Sequence, residues 1–237
     1  MAWGRENASH VATPTPLVAA VTPTNSPDPH FPNIAPIARE YPQMVAPPAS
    51  APTANPEPLA TGKGRLAKLY ASVDTRGWTL AAVPDFPISA KMPPGYFANF
   101  RVFNLLDGRQ GYDLTITNFD LDEKKASVPT GGSPPPPNRV GVNAQLYPSG
   151  PGVIGQIDAV TTDIITFVAP GLGNAPIYLR QERWQGQFGP EAHEVHTTTQ
   201  VPLSEGRYLV LSASTSSPDD DRLVRDLIGV LASLGVK

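Results

Sequence analysis

The sequence predicts an α+β fold: an antiparallel sheet packed against a short N-terminal helix, a middle helix and a C-terminal amphipathic helix. Two observations carry this prediction. Apolar and polar residues alternate in several segments between residues 99 and 215, which is typical of strands with one buried face. Leucines then recur at helical spacing from Leu223 to Leu234, which predicts a helix laid on that sheet.

A proline-rich arm precedes this predicted domain. Of the 29 prolines in the 237 residues, thirteen lie in residues 1–60. Each proline fixes its own φ and biases the preceding residue toward extended geometry. We therefore predict a Pro/Ala/Thr-rich extended arm over residues 1–60 and the α+β domain over residues 61–237. The apolar residues of the arm follow neither a period of 2 nor one of 3.6, but they could dock on another surface.

The globular part is predicted to begin with a short helix. Thr61 can cap it, and Leu66, Leu69 and Tyr70 fall on one face. Arg76-Gly77 supplies a basic last turn and a residue suited to a left-handed stop. This helix is the first of the three expected to cover the sheet.

Seven strands are predicted where β-branched and aromatic residues concentrate between turn residues. They cover residues 78–83, 99–106, 112–119, 140–147, 176–184, 195–201 and 207–215. The sequences at 107–111 and 204–206 predict hairpin loops, because glycine and acidic residues favour tight turns. Residues 120–139, which include four consecutive prolines, predict a long exposed excursion.

The segment 153–168 fits two kinds of structure. Ile157, Val160, Ile164 and Val168 repeat at helical spacing, whereas the β-branched content would also suit strands. We favour the helix here, which makes it the middle helix of the predicted fold.

The C-terminal helix has the clearest signals. Ser217 can cap it, Pro218 suits the first helical position, and Asp219-Asp220-Asp221 complements the positive end of the helix dipole. Leu227 and its neighbours at helical spacing form an apolar face, and Gly235 is a suitable stop. An amphipathic helix of this kind must bury its apolar face against another element.

Charge and composition exclude several functions. The 18 basic and 21 acidic side chains give a net charge of -3 without a basic run, which argues against nucleic acid as a partner. No stretch approaches the ~20 apolar residues of a membrane span. The absence of cysteine excludes disulfides and thiolate metal sites in this sequence. The apolar segment 18–21 lacks the basic flank of a signal peptide, so we expect either a cytosolic protein or a mature exported form.

The candidate reactive residues do not form a catalytic pattern. His193-Glu194-Val195-His196 offers two imidazoles, but a spacing of three at the start of a strand places them on opposite faces. The glycine-rich loop at 171–174 lacks the dinucleotide fingerprint, and Asp219-Asp220-Asp221 is explained by the helix dipole. We therefore predict no catalytic residue, no metal ligand and no cofactor.

Aromatic residues offer a different kind of site. They could line a groove between the sheet and the helices that accepts an apolar ligand or a peptide. The predicted ligand-binding residues are Trp78, Tyr96, Phe100 and Trp184, and Tyr112 belongs to the same wider set. The alternative is that these rings simply fill the core, where each would contribute about 1.5 to 3 kcal/mol.

Several segments together resemble a known family. They are the helical sequence at 64–70, Pro84-Asp85-Phe86-Pro87-Ile88, Met92-Pro93-Pro94-Gly95-Tyr96, Thr197-Thr198-Thr199-Gln200-Val201 and the sequence at 206–214. This pattern resembles the mycobacterial LpqN/LpqT group and, more widely, the Mog1/PsbP-like fold. The resemblance implies a non-enzymatic, exported protein of the cell envelope.

The sequence thus favours a secreted or envelope protein that holds an apolar ligand or a partner protein and is not an enzyme. The alternative is a structural subunit of a larger assembly, such as a virion or secretion complex, whose arm packs on neighbouring subunits. The arm could also mediate self-association. A hydrolase that uses the histidine pair with a carboxylate is a third hypothesis. The extracytoplasmic location applies if the chain is a mature form, and the location is otherwise open.

Overall fold

A computed structural model describes residues 34–46, 60–121, 138–149, 160–173, 175–185 and 191–237. Most of the predicted arm, and most of the predicted excursion at 120–139, lie outside these residues. In chain order the elements are β1 (Ile34–Glu40), β2 (Met44–Val45), β3 (Ala60–Thr61), α1 (Arg65–Ala71), β4 (Thr79–Ala81), β5 (Ile88–Met92), β6 (Phe97–Leu105), β7 (Gln110–Thr117), β8 (Val140–Tyr147), β9 (Val160–Val168), β10 (Pro176–Gln185), β11 (Glu191–Pro202), a 3₁₀ turn (Ser204–Gly206), β12 (Tyr208–Thr215), α2 (Asp221–Ala232) and β13 (Gly235–Val236).

The strands of the described chain form two antiparallel sheets. The large sheet has ten strands in the order β1-β6-β7-β8-β12-β11-β10-β9-β3, and β2 pairs with β6 beyond the end of β1. The small sheet has the order β13-β5-β4. Helix α2 lies between the two, because it contacts β5 on one side and β8 and β12 on the other.

The predicted α+β fold with three helices is wrong. The described chain is β-rich and has two α-helices, and the middle helix is missing because Val160–Val168 is strand β9. Its residues alternate in burial: Ile165 and Phe167 are buried, whereas Ile164 is 44% exposed. This period of 2, together with stiff β-branched side chains, outweighs the helical spacing of every third or fourth residue. Residues 153–159 of the predicted helix lie outside the described residues.

The seven predicted strands are confirmed, with shifts at their ends. Val140–Tyr147 has the predicted bounds, whereas the strand predicted at 195–201 begins four residues earlier, at Glu191. Strand β5 (Ile88–Met92) was not predicted, because the prolines on both sides of it obscure its alternation. Hydrogen bonding to β4 and β13 makes it the middle strand of the small sheet.

Part of the predicted extended arm belongs to the large sheet. Strands β1 and β2, both within residues 1–60, pair with β6, and the Tyr41 amide between them donates to the carbonyl oxygen of Phe100. The buried Ala46 that follows belongs to the main core. The described portion of the arm therefore packs on its own domain.

Helix α1 is present but begins later than predicted and has another cap. Its first residue is Arg65, and the Leu66 amide donates to the Asp163 carboxylate of β9 at 2.8 Å. A Cβ on Gly64 would lie 1.9 Å from that carboxylate, so glycine is needed for the close approach. The cap that the sequence assigned to Thr61 thus comes from a distant strand. Leu66 and Leu69 are buried beneath the helix, as predicted.

Helix α2 is confirmed, and seven of its twelve residues are buried. Its cap is Asp220, whose carboxylate accepts the amides of Arg222 and Leu223, and not Ser217 as the sequence suggested. Leu227 and Leu231 are fully buried. They lie among residues of β8, β12 and the small sheet in one main core.

Alternation along the strands gives the large sheet two different faces. On β8 the even-numbered residues face α2 and the main core, and they are Val140, Val142, Ala144 and Leu146. The odd-numbered residues face the opposite, outer side, where Tyr147 stacks on Tyr208 with ring centroids 4.9 Å apart. Polar side chains cover much of the remaining outer face, including Asp113 and Asn143, which form a hydrogen bond of 2.6 Å.

The packing of Trp78 on α2 predicts the effect of one substitution. An added Cβ at Gly229 would lie 2.4 Å from the Trp78 ring, so the ring or the helix must shift in Gly229→Ala. We expect a decrease of about 1 to 2 kcal/mol in the free energy of unfolding, because overpacking outweighs the roughly 1 kcal/mol that alanine gains in helix propensity. Urea unfolding followed by circular dichroism measures it.

Gly141→Ala is the matched control. A Cβ at this position in β8 meets no atom within 4 Å. We expect its free energy of unfolding to stay within about 0.5 kcal/mol of the wild type. A Gly229→Ala variant as stable as the wild type or more so would show that Trp78 does not pack on α2 in this way.

Candidate functional site

A cleft of about 380 Å³ opens where β7 begins, β8 ends and β12 begins. Its other wall is the turn before β5 together with Lys237, whose amide donates to the carbonyl oxygen of Pro87 at 3.0 Å. The cleft therefore lies between the two sheets, at the inner face of the large one. Its volume is within the range of about 300–1,000 Å³ of small-molecule sites.

The apolar lining of the cleft is built around one phenylalanine. Phe86, which is 2% exposed, makes edge-to-face contacts with Tyr112, Phe100 and Tyr41 at centroid distances of 5.4, 5.1 and 5.6 Å. Pro87, Leu146 and Pro148 extend the lining. Rings held by several neighbours in this way give the cleft a rigid apolar floor.

Polar side chains stand around this floor. Asp85 and Gln110 are exposed on the rim, and Asp85 has a left-handed backbone with φ of 61°. Arg207 is held by Ser204 and by the main-chain oxygen of Lys237, to which its Nη1 donates at 3.0 Å. Non-glycine residues in left-handed conformations concentrate at ligand sites, where the surroundings hold them. An apolar floor with a few fixed polar groups can hold a small amphipathic molecule.

The predicted ligand-binding residues Tyr96 and Phe100 lie in the main core. Phe100 contacts Phe86 beneath the cleft and does not line it. The Tyr96 hydroxyl donates to the Asp226 carboxylate on α2 at 2.9 Å. Burial and the nearby Asp226 carboxylate raise the pKa of Tyr96 well above its ordinary value. Tyr96 therefore fastens α2 to the residues before β6.

The other two predicted ligand-binding residues lie elsewhere. Trp78 packs on Gly229 of α2, and Trp184 lies in β10 with its side chain outside the described residues. None of Trp78, Tyr96 and Phe100 lines the cleft described above. Tyr112, from the wider aromatic set, does line the cleft.

The histidine motif lies on β11 and is divided between the two faces of the sheet. His193 pairs with Arg183 and His196 with Arg180 in a regular register, so their side chains alternate. On the outer face the His196 Nε2 donates to Glu182 Oε2 at 2.8 Å, and the Thr161 hydroxyl donates to Glu182 Oε1 at 3.0 Å. Glu182 is thus a buried carboxylate with two hydrogen-bond donors.

Glu182 and its cross-strand neighbour Glu194 have pKa values shifted in opposite directions. Burial acts to raise the pKa of Glu182, but the hydrogen bonds from His196 and Thr161 outweigh it and leave that pKa below the ordinary value. Burial raises the pKa of Glu194, against a hydrogen bond with Ser214. Groups that satisfy one another in this way stabilise the sheet. None of them lines the cleft described above.

The remaining sequence motifs have structural places. Gly171 forms a bridge with Gly235, and an added Cβ would lie 2.5 Å from the Leu234 carbonyl oxygen, so the loop packs backbone to backbone. Asp220 caps α2, and Asp221 forms an ion pair with Arg65 of α1. Among the described residues, no three His, Asp or Glu side chains are grouped so that they could hold a metal ion.

The sequence reasoning missed Phe86 and Arg207 as site residues. The sequence signal for Phe86 is its position between two prolines in Pro84-Asp85-Phe86-Pro87. Prolines fix the backbone of a turn, and such a turn can hold the Phe86 side chain in one orientation. Arg207 follows the loop at 204–206 and resembles any surface arginine in sequence. Its position at the cleft depends on its contact with Lys237, which lies 30 residues further along the chain, and local sequence does not encode such a contact.

No family model matches the chain. No curated protein matches it. No solved structure matches it. The resemblance to the LpqN/LpqT group and to the Mog1/PsbP-like fold therefore stays a prediction. Neither helix of the described chain has the length and apolar character needed to cross a bilayer.

The Glu182 cluster predicts a pH-dependent stability. We expect Glu182→Gln to lower the free energy of unfolding at pH 7 by about 1 to 2 kcal/mol, because the His196 and Thr161 donors lose a charged acceptor. A lowered folded-state pKa stabilises above the ordinary value of 4.5 and loses that contribution as the pH falls through the lower value. The difference between wild type and variant should therefore shrink below pH 4.5, as urea unfolding at several pH values would measure.

Glu205→Gln is the control, because the Glu205 side chain is 81% exposed and lies 4.0 Å from its arginine partner. We expect a change within about 0.5 kcal/mol at any pH. An effect of Glu182→Gln as small as this, or one that persists unchanged at low pH, would show that the Glu182 hydrogen bonds do not stabilise the fold.

Proposed function

We propose that this protein is a non-enzymatic binding protein that holds an apolar ligand in the cleft between its two sheets. The observation that carries the proposal is the floor formed by Phe86, Tyr112 and Leu146, apolar side chains at an opening of about 380 Å³. Burying apolar surface of a ligand there would be favourable by roughly 25 cal/mol per Å² of surface removed from water.

The distribution of reactive groups supports binding over catalysis. The one His-Glu hydrogen bond described above, between His196 and Glu182, lies on the outer face of the sheet and away from the cleft. The described lining residues with polar groups are Asp85, Gln110, Tyr112, Arg207 and Lys237, and no histidine is among them. Such a set can orient a ligand and has no evident nucleophile with a base.

The location in the cell envelope is a further part of the proposal. It rests on the resemblance of the segments around 84–96 and 197–214 to the LpqN/LpqT group. A binding protein outside the cytoplasm would meet free apolar molecules or partner proteins, which fits a cleft that is open to solvent.

A structural subunit of an assembly is the second candidate. Strand β1 favours it, because β1 is an edge of the large sheet, and Ile37 on it is 49% exposed. Edge strands can pair with another chain. The arm was expected to pack on neighbouring subunits, however, and its described residues pack on β6 of the same chain. We therefore place ligand binding first.

Titration with a neutral apolar probe tests the proposed function. We expect 4-phenylbutanol to bind the full chain and to shift the NMR amide signals of Phe86, Tyr112 and Leu146 together. Gln110→Trp adds an indole at an exposed position on the rim and should weaken this binding at least about tenfold by filling the opening.

Thr198→Trp is the matched control, since Thr198 is exposed on the outer face of β11. It should bind 4-phenylbutanol with unchanged affinity. If the wild type gives no saturable shifts at the cleft, or if Gln110→Trp binds as tightly as Thr198→Trp, the cleft is not a binding site and the proposed function is wrong.

A further inference from the structure

Four aromatic side chains at the cleft form one continuous set of edge-to-face contacts. Phe86 is at its centre, and its ring plane is turned by 85° to both Phe100 and Tyr41. The Tyr112 ring meets Phe86 at 89°. Aromatic rings prefer this arrangement because the positive edge of one ring meets the negative face of the next. The rings at the cleft therefore interact through their quadrupoles as well as by apolar contact.

Tyr112 is the member of this set that ends at the cleft. Its ring is half-buried and lines the opening, whereas Phe86 and Phe100 are only 2% and 1% exposed. Phe86 has three aromatic neighbours, but within the described chain Tyr112 has one, which is Phe86 itself. A further ring placed in the cleft beside Tyr112 would make the same kind of contact that the other members of the set make.

The walls of the cleft favour a rigid body over a flexible one. Pro87 belongs to one wall and Pro148 to the other. Proline side chains have no rotamer freedom to lose, so these walls are already ordered before a ligand enters. A planar ring also loses no internal rotamers on binding, whereas a long aliphatic chain does. A compact ring therefore suits this lining better than an extended chain.

We propose that the cleft selects ligands that carry an aromatic ring, and that Tyr112 is the residue that determines this selectivity. The inference rests on the proposed function and names its ligand class. The ligand ring would meet the Tyr112 ring edge to face or in an offset stack. Such a contact strengthens binding about two- to tenfold beyond the effect of buried apolar area. A saturated ring lacks this quadrupole and would gain only from the burial of its surface.

Two probes that differ only in the ring test this selectivity in the full chain: 4-phenylbutanol and 4-cyclohexylbutanol. Isothermal titration calorimetry gives the ratio of their affinities. We expect Tyr112→Leu to lower the phenyl-to-cyclohexyl ratio about two- to tenfold, because leucine keeps an apolar contact and removes the ring. Comparison of the two ratios cancels the difference in hydrophobicity between the probes. Tyr112→Phe keeps the ring and should keep the wild-type ratio.

Tyr178→Leu is the matched control. Tyr178 is 42% exposed on β10, and its neighbours Ile177 and Leu179 are buried in the main core, so its ring lies on the outer face of the large sheet. The same replacement at this position, away from the cleft, should leave the ratio of the two affinities unchanged.

NMR of the wild type provides a second readout, which decides the matter if thermal unfolding shows that Tyr112→Leu does not fold. We expect intermolecular nuclear Overhauser effects between the phenyl protons of 4-phenylbutanol and the ring protons of Tyr112. Equal ratios for the wild type and a folded Tyr112→Leu, or contacts to Tyr112 from the butanol chain alone, would overturn the inference and leave the proposed function standing. If neither probe binds, both are wrong.

Discussion

Seven of the twelve residues of helix α2 are buried, so the helix needs apolar cover on several sides at once. The large sheet covers it through β8 and β12, and the small sheet covers it through β5. Each buried leucine contributes about 1.5 to 3 kcal/mol only while that cover is in place. Two polar side chains of α2 also bind other elements. Asp221 forms an ion pair with Arg65 of α1, and Asp226 accepts a hydrogen bond from the Tyr96 hydroxyl. Helix α2 therefore holds the two sheets together, because its apolar side chains would be exposed to water if either sheet moved away.

The position of the cleft follows from the position at which helix α2 ends. After α2 the chain turns through the buried Leu234 into β13, and the Lys237 amide bonds to Pro87 beside the turn that carries Phe86. At this end of the large sheet the Phe86 ring contacts Tyr112 on the inner face of β7. The cleft opens beside these two rings, and Leu146 of β8 extends its apolar lining. The fold thus produces an apolar opening as a consequence of its packing.

Local patterns in the sequence predicted much of the fold and little of the site. Alternation located β8 to the residue, and leucine spacing located α2, because these signals depend on neighbours within one element. The fold class failed at β9, where helical spacing coincided with strand alternation and only pairing with β10 distinguishes them. The caps of both helices come from other residues than predicted, one of them from a distant strand. Of the aromatic residues predicted to bind a ligand, Tyr96 and Phe100 are core residues, and the sequence did not distinguish them because burial is decided by tertiary packing.

Native-state hydrogen exchange measures most directly whether α2 holds the two sheets together. If it does, the amides of Leu227, Ile228 and Leu231 exchange only through global unfolding, with the same free energy as Ala144 in β8 and Leu211 in β12. The alternative is a helix that detaches from an intact sheet. Exchange of the three α2 amides at a free energy several kcal/mol below that of the two strand amides would contradict this account of the core and of the cleft beside it.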